Sequence, residues 1–416
     1  MIEDKTYLEV SRTNSGIRYF LEENKFFPSV LIGVFVKSGS RYESKKERGI
    51  AHFIEHTVFK GTNKRTAFQI SHEIERLGGE LNAYTSSEYT LFYTRLLNKH
   101  IEKGFDVLSD ILINPIFDEE LLERERKVII EEIHEYYDNP QDICQSEALN
   151  SIWGDNPIAN NPLGDEESVK GIKREDILEW FHNMFNKKNI FISVVGDIDK
   201  EKVAYLIEKY FSSMPEGSAT KILGDSPPYL FQKRMVKKDS MQVHIAVTLK
   251  GEKSFTRKSI LHSIYTTILG GNMSSRLFQK LREKSGLVYS VYAYPVGFSD
   301  TGGTVIYASA LPKNIAKIKD TINREIDDIR INGVKKEEFQ DAKEYILGSL
   351  ILGLESSSGR MQRNGTQGMF QGRIKSIDSL MKEIESVSFD EFLAFAKELS
   401  SSERGEVLVG NVKIKS

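Results

Sequence analysis

The sequence of 416 residues has one cysteine and lacks an excess of charge of either sign. Cys144 cannot form a disulfide within the chain or supply a cysteine-rich zinc cluster, so we expect it to pack as a small apolar side chain. Lys and Arg number 57 against 60 Asp and Glu, a net charge of −3. Proteins that wrap nucleic acid usually carry a basic excess, so the composition argues against a nucleic-acid partner.

The sequence also lacks an apolar run long enough to cross a membrane. The longest runs, such as residues 30–36, have the length of a strand, whereas a membrane-spanning helix needs about 20 apolar residues. Residues 1–5 include two acidic side chains and no apolar core, which argues against a secretory signal or an Arg-rich presequence. We therefore predict a cytoplasmic protein with no membrane partner.

Strand-like and helix-like segments alternate along the chain, and the second half repeats the first at an offset of about 215 residues. Runs of β-branched residues predict strands at 29–37 and 244–248, each followed by a helix that ends at glycine. Short turn-like joins near 86–87 and 300 favour antiparallel hairpins over a doubly wound parallel sheet. We therefore predict an α+β fold with two homologous α/β sandwich domains.

A stretch rich in Gly, Ser and Pro separates the two halves. Residues 218–228 lose the apolar periodicity of the flanking segments, which is typical of a linker. The predicted domains are therefore residues 1–217 and residues 229–416, with residues 218–228 between them.

The most specific signal for function is the pentapeptide His52-Phe53-Ile54-Glu55-His56. Residues i and i+4 lie on one face of a helix about 6 Å apart, so both imidazoles can reach one ion, and zinc binds imidazole nitrogen well. Glu55 falls on an overlapping face, where its carboxylate can accept a proton from a water on the metal without being a ligand. The surrounding helix, 49–60, is otherwise apolar, and a metal offsets the cost of burying a polar cluster there.

A third protein ligand must come from outside this helix, because catalytic zinc sites use three protein ligands and leave one position open. The predicted helix at 118–137 is rich in acids. Its apolar side faces the core, and physical reasoning alone does not choose among Glu125, Glu131, Glu132 and His134.

The inverted motif His-x-x-Glu-His, with Glu132 placed 76 residues after His56, resembles the M16 metallopeptidases, which include pitrilysin and the mitochondrial processing peptidase. Residues 39–43, 59–62 and 78–85 also match family patterns, and the resemblance covers essentially the whole chain. The chain is similar in length to the single-half members known as M16B. The fold implied is a pair of homologous sandwich domains of the mitochondrial-processing-peptidase type.

The resemblance implies a role for each residue of the site. His52, His56 and Glu132 would be the ligands of one Zn²⁺ per chain, Glu55 the general base, and Glu125 a supporting glutamate. Arg282 and Tyr289, seven residues apart in the second half, match the family's Arg and Tyr pair, which would position substrate and donate to the oxyanion. The second domain has no matching motif after His244 and would bind no metal.

These assignments predict a zinc metalloendopeptidase that acts on unfolded peptides. A strand that includes Gly79, Asn82 and Ala83 could lie at a sheet edge and pair with an extended peptide substrate. The resemblance further implies a homodimer in which Arg282 and Tyr289 complete the partner's zinc site around a chamber. Two alternatives are a non-catalytic subunit of a heteromeric peptidase and an unrelated metal hydrolase with the same motif.

Overall fold

The computed structural model describes residues 6–220 and 226–411, which form two compact units. Within this part of the chain, unit 1 comprises residues 6–134, 160–220 and 352–376, and unit 2 comprises residues 135–159, 226–351 and 377–411. The predicted domains are continuous in sequence, whereas each unit includes one segment from the other half of the chain. The domain limits stay a prediction, and residues 221–225 of the linker lie outside the described residues.

Unit 1 is built on a six-stranded sheet with the strand order β2-β3-β7-β4-β6-β5. The β3 and β7 strands are parallel, and the other neighbours are antiparallel. A separate antiparallel pair joins β1 to β12. The strands of this unit are β1 (Tyr7–Leu8), β2 (Ser11–Arg12), β3 (Arg18–Glu23), β4 (Ser29–Val36), β5 (Glu80–Thr85), β6 (Thr90–Leu97), β7 (Ile190–Gly196) and β12 (Ile374–Lys375).

Helices cover both faces of this sheet. One face packs against apolar residues of α1, α3, α7 and α8. The other face packs against Met361 and Met369 of α12, where Gly365 and Gly368 let the helix approach Phe35 and Phe191. The helices are α1 (Ile50–Thr57), α2 (Ala67–Glu75), α3 (Ile101–Ile113), α4 (Glu119–Asp138, which continues past residue 134), α6 (Glu166–Gly171), α7 (Arg174–Met184), α8 (Lys200–Phe211) and α12 (Ser357–Gln371).

Unit 2 is built on a five-stranded sheet with the order β10-β11-β9-β13-β8. Here β13 and β8 are parallel, and the other neighbours are antiparallel. The strands are β8 (Lys233–Lys237), β9 (Val243–Lys250), β10 (Ser290–Gly297), β11 (Gly302–Ala310) and β13 (Gly405–Gly410).

Helices also cover both faces of the second sheet. Apolar residues of α9, α10, α11 and α14 form the core on one face, and Ile143, Cys144 and Ala148 of α5 pack on the other. Two π-helical segments, Thr267–Gly271 and Phe278–Glu283, follow α9. The helices are α5 (Pro140–Trp153), α9 (Arg257–Thr266), α10 (Ile315–Asn332), α11 (Lys336–Gly353, which ends beyond residue 351), α13 (Ile377–Glu385) and α14 (Phe389–Ser400).

Apart from β2, the two sheets have the same topology, which confirms the predicted pair of related α+β units. When the second order is written in reverse, β8-β13-β9-β11-β10, each strand has a counterpart in the first sheet, and the parallel pair is in the same place. The β5–β6 and β10–β11 pairs are the predicted antiparallel hairpins. The predicted packing of Cys144 as a buried apolar side chain is also confirmed.

The observed helix bounds differ from the predicted bounds in two places. The helix predicted at 49–60 ends at Thr57 and continues as a 3-10 turn, Val58–Lys60. The helix predicted at 118–137 is α4, Glu119–Asp138. Pro140 then begins α5, because proline fits the first turn of a helix, where its missing N–H is not needed. Within the described residues, no helix combines the length and the apolarity that a bilayer crossing requires.

Candidate metal centre

Helix α1 is held at its N-terminus by a carboxylate from outside the helix. Gly49 at the N-cap has φ of 89° and no side chain with which to cap the amides. Glu43, which is 2% exposed, accepts hydrogen bonds from the backbone N–H of Gly49 and Ala51 at 2.9 and 3.0 Å. A negative group is favourable at a helix N-terminus, although burial raises the pKa of Glu43 to about 8. Glu43 thereby fixes the start of the helix that carries the candidate ligands.

Three side chains from α1 and α4 converge on one point. His52 Nε2 and His56 Nε2 lie 3.2 Å apart, and Glu132 Oε2 lies 3.7 and 3.5 Å from these two nitrogens. Atoms bound tetrahedrally to zinc at about 2.0–2.1 Å are about 3.3–3.4 Å from one another. Among the described residues, this is the one group of three or more potential ligand side chains with such convergence.

The donor set suits zinc in chemistry as well as in spacing. Burial, and to a smaller extent His56, lowers the pKa of His52 to about 3, so His52 is neutral and has a lone pair to give. Glu132 is about two-fifths exposed and supplies an anionic oxygen. Two imidazoles and one carboxylate form a set found in catalytic zinc sites with an open fourth position.

Glu125 lies behind His56 on the side away from the other ligand atoms. Its Oε2 is 3.4 Å from His56 Nδ1, and its Oε1 is 2.9 Å from Lys60 Nζ. A proton on Nδ1 leaves Nε2 of His56 free for a metal, and a carboxylate in this position is typical of metal-bound histidines. Sequence reasoning missed Lys60, although it falls within the quoted segment 59–62.

The other candidate third ligands on α4 lie elsewhere. Glu131 is exposed, and His134 Nε2 contacts Glu166 Oε2 at 3.0 Å. The structure therefore brings Glu132 to the histidine pair, and it gives Glu125 a contact with one of those histidines.

Glu55 is bound to the end of strand β5. Its Oε2 accepts a hydrogen bond from Thr85 Oγ1 at 2.5 Å, and the Thr85 backbone N–H also contacts the carboxylate. Burial raises the pKa of Glu55, and these hydrogen bonds oppose that shift. Thr85 was not among the predicted site residues, although it ends the quoted segment 78–85.

Strand β5 is the edge strand of the first sheet, as the sequence suggested. The Ala83 backbone N–H donates to the Asn82 side-chain oxygen Oδ1 at 2.8 Å. Gly79 terminates α2 through a hydrogen bond from its N–H to Ile74 O at 3.1 Å, and a Cβ there would lie 2.9 Å from the Ile74 side chain. The double glycine therefore has a structural role at the helix end.

Arg282 and Tyr289 belong to unit 2, and both side chains are exposed. The Arg282 guanidinium lies over the Phe278 ring, 5.3 Å from its centroid. Tyr289 is 56% exposed, and its backbone N–H donates to Ser309 O at 2.9 Å.

Comparisons with known proteins identify the same family in both halves of the chain. Residues 18–166 match the family model described as insulinase (peptidase family M16), and residues 171–346 match the peptidase M16 inactive domain. The uncharacterized zinc protease YmxG of Bacillus subtilis (strain 168) is 33% identical over 396 residues, which is 95% of this chain and 96% of the relative.

Solved structures with low sequence identity share the fold. The peptidase M16 inactive domain from Pseudomonas fluorescens aligns with a TM-score of 0.91 at 18% identity, over 98% of each chain. A protease from Helicobacter pylori aligns with a TM-score of 0.88 at 21% identity, over 97% of this chain and 99% of that one.

Proposed function

Because the chain belongs to peptidase family M16, we propose that it is a zinc-dependent endopeptidase with one Zn²⁺ held by His52, His56 and Glu132. The observation that carries the proposal is the spacing of the three ligand atoms, 3.2 to 3.7 Å, which suits a tetrahedral ion. The non-catalytic alternative has less support, because every residue of the metal set is present in the segment that matches the insulinase model.

Glu55 is the proposed general base. When bound, zinc would lower the pKa of a water ligand and polarise the scissile carbonyl. Glu55 accepts a proton from the attacking water and gives it to the amine nitrogen, so the C–N bond breaks as the carboxylic acid and amine form. The Thr85 hydroxyl and backbone N–H hold the Glu55 carboxylate in one orientation. Glu125 and Lys60 hold His56 in the tautomer that presents Nε2.

The proposed substrate is an extended peptide that pairs with β5. An edge strand presents unpaired backbone groups, and this one ends at Thr85, beside Glu55. Asn82 and Ala83 lie along that edge, where a peptide backbone would replace the local bond between them. Gly79 lies at the start of the strand. Backbone pairing selects unfolded segments, so we expect broad sequence preference.

Replacement of Glu55 by Gln tests the general base. Removal of a general base typically costs 10²–10⁴ in rate, so Glu55→Gln should lower cleavage of a quenched peptide by about that factor. Zinc content, measured by elemental analysis of the folded protein, should stay at the wild-type value because Glu55 is not a ligand. Glu131→Gln, an exposed carboxylate on α4, is the matched control.

Two outcomes would refute the assignment. A zinc-loaded Glu55→Gln protein with wild-type turnover would exclude Glu55 as the base. Wild-type protein that holds zinc and cleaves no peptide, from any of a set of unfolded substrates, would favour the non-catalytic alternative.

The proposed enzyme acts as a homodimer, with Arg282 and Tyr289 completing the zinc site of the other copy. Both side chains are exposed on unit 2, while the metal ligands belong to unit 1. An exposed phenol and guanidinium can donate to an oxyanion, and one such donor is typically worth about 3 kcal/mol.

Mixed dimers test this arrangement. A Glu55→Gln chain and an Arg282→Ala chain are each expected to be weakly active alone. In a mixed dimer, one site regains both groups, so activity should rise to about half of the wild-type value per dimer. Mixed dimers confirmed by differential tags that show no such recovery would exclude the arrangement in trans.

A further inference from the structure

A cavity of about 470 Å³ in unit 1 has more basic than acidic side chains in its lining. It lies where β3 and β7 begin and β4 ends, and its floor includes the buried Met369 of α12. Five basic side chains and one carboxylate line it, although the whole chain has a net charge of −3. We refer to this cavity as the cationic pocket; its basic residues are Arg12, Arg18, Lys37, Lys187 and Lys188.

Two of these cations are held directly opposite each other. Arg12 on β2 and Arg18 on β3 are cross-strand partners in the antiparallel register. Like charges in this position destabilise a sheet. Neither guanidinium has a carboxylate within ion-pair distance in the part of the chain that the structure describes. The sheet therefore keeps a repulsive pair at the mouth of a cavity, where a counter-ion would relieve it.

Among the described residues that line the pocket, the one carboxylate is already paired. Glu216 Oε1 lies 2.6 Å from Lys187 Nζ. Lys37 Nζ donates to the backbone carbonyl of Thr220 at 2.9 Å and keeps further donors toward the cavity. Burial lowers the pKa of both Arg18 and Lys37; Arg12 acts in the same direction on Arg18, whereas Glu88 opposes the shift at Lys37. Among the described lining residues, five basic side chains thus face one carboxylate.

We propose that the cationic pocket binds a small multivalent phosphate anion. Guanidinium groups present paired N–H donors that match phosphate oxygens, and ammonium groups add point charges. Phosphate oxygens would accept from Arg12, Arg18 and Lys37 while separating the two guanidinium charges. The cavity volume falls in the range of ligand sites and exceeds that of a single phosphate, so it accepts a diphosphate or a nucleoside diphosphate.

Calorimetric titration of the full-length protein with inorganic phosphate, pyrophosphate and ADP tests the proposal, with ionic strength held constant by NaCl. We expect saturable binding of pyrophosphate, and at least tenfold weaker binding in Arg12→Gln and in Arg18→Gln. Arg76→Gln, which removes an exposed arginine from the end of α2, should change affinity less than twofold. If ADP binds more than tenfold tighter than pyrophosphate, the pocket recognises a nucleotide. If the two bind with equal affinity, the pocket recognises the phosphate groups alone.

The same variants give a second measurement that does not depend on binding heat. Without anion, Arg12→Gln should melt at or above the wild-type temperature, because a repulsive pair is removed. Pyrophosphate should raise the wild-type melting temperature and leave that of Arg12→Gln nearly unchanged. The proposal is overturned if wild-type protein binds none of the three anions, or if the arginine variants bind as tightly as wild type. It is also overturned if binding disappears when zinc is removed, since the anion would then lie at the metal.

Discussion

The helix that follows the central strand differs between the two units, although the sheets have the same order. In unit 1, α1 after β4 carries His52 and His56 toward a common point, and it also carries Glu55. In unit 2, α9 after β9 carries one histidine, His262, which is 1% exposed. His262 Nδ1 accepts from the Glu252 N–H at 3.3 Å, and its Nε2 lies 2.7 Å from Thr304 Oγ1.

The comparison shows how one fold holds histidine in two ways. His262 uses both ring nitrogens in hydrogen bonds to its own unit, so it has no lone pair for a metal. His52 and His56 instead present Nε2 atoms to each other and to Glu132. Whether a unit can bind a metal therefore depends on the side chains that its helix carries, and not on the fold that the two units share.

Removal of a ligand should give the largest difference between the units. We expect Glu132→Ala to lose zinc and to lower peptide cleavage at least about 10³-fold. Replacement of a residue that only hydrogen-bonds to a metal ligand typically costs 10- to 100-fold. His262→Gln, the matched change in unit 2, should keep one zinc per folded chain. Elemental analysis and a quenched-peptide assay measure both. Zinc retained by Glu132→Ala, or lost by His262→Gln, would invalidate the contrast.

Loss of the carboxylate behind His56 should have a smaller effect. Glu125→Gln keeps the shape of the side chain but removes the negative charge shared with His56 and Lys60. We expect zinc affinity to fall 10- to 100-fold, as measured by competition with a chelator. Glu131→Gln lies on the same helix, is exposed and should leave affinity unchanged. Equal affinities in the two variants would show that Glu125 does not support the metal site.

The sequence was sufficient to predict two parts of the site: the side chains that share one helix turn, and the ligand that a family motif places at a fixed distance along the chain. His52, Glu55 and His56 share one helix turn, so their proximity follows from helix geometry. Glu132 came from resemblance, because spacing along α4 left four side chains open. The choice depends on how α4 packs against α1, which only the tertiary structure shows.

Other features depend on contacts that no local pattern contains. The Thr85 hydrogen bond to Glu55 joins a strand end to a helix 30 residues away. The cap on α1 comes from Glu43, since the N-cap residue is glycine. The grouping of α5 with unit 2 and of α12 with unit 1 separates sequence neighbours, whereas the predicted domains followed the order of the chain. Long-range packing decides each of these features.

The remaining prediction concerns the pH dependence of stability contributed by His262. Burial lowers its pKa to about 4 in the folded protein, against 6.5 for the unfolded chain. Between these values the unfolded state binds more protons, so the stabilisation present above pH 6.5 is lost as pH falls toward 4. Protonation would place a hydrogen on Nδ1, which now accepts from the Glu252 N–H.

We expect the wild-type free energy of unfolding to fall by about 2 kcal/mol more than that of His262→Gln between pH 6.5 and 4.5. Urea titrations of the metal-free proteins measure this difference without interference from zinc release. His182→Gln, an exposed histidine on α7, should follow the wild-type profile. Parallel profiles for wild type and His262→Gln would mean that His262 titrates at its ordinary pKa. The conclusion that burial keeps His262 neutral in the folded protein would then be wrong.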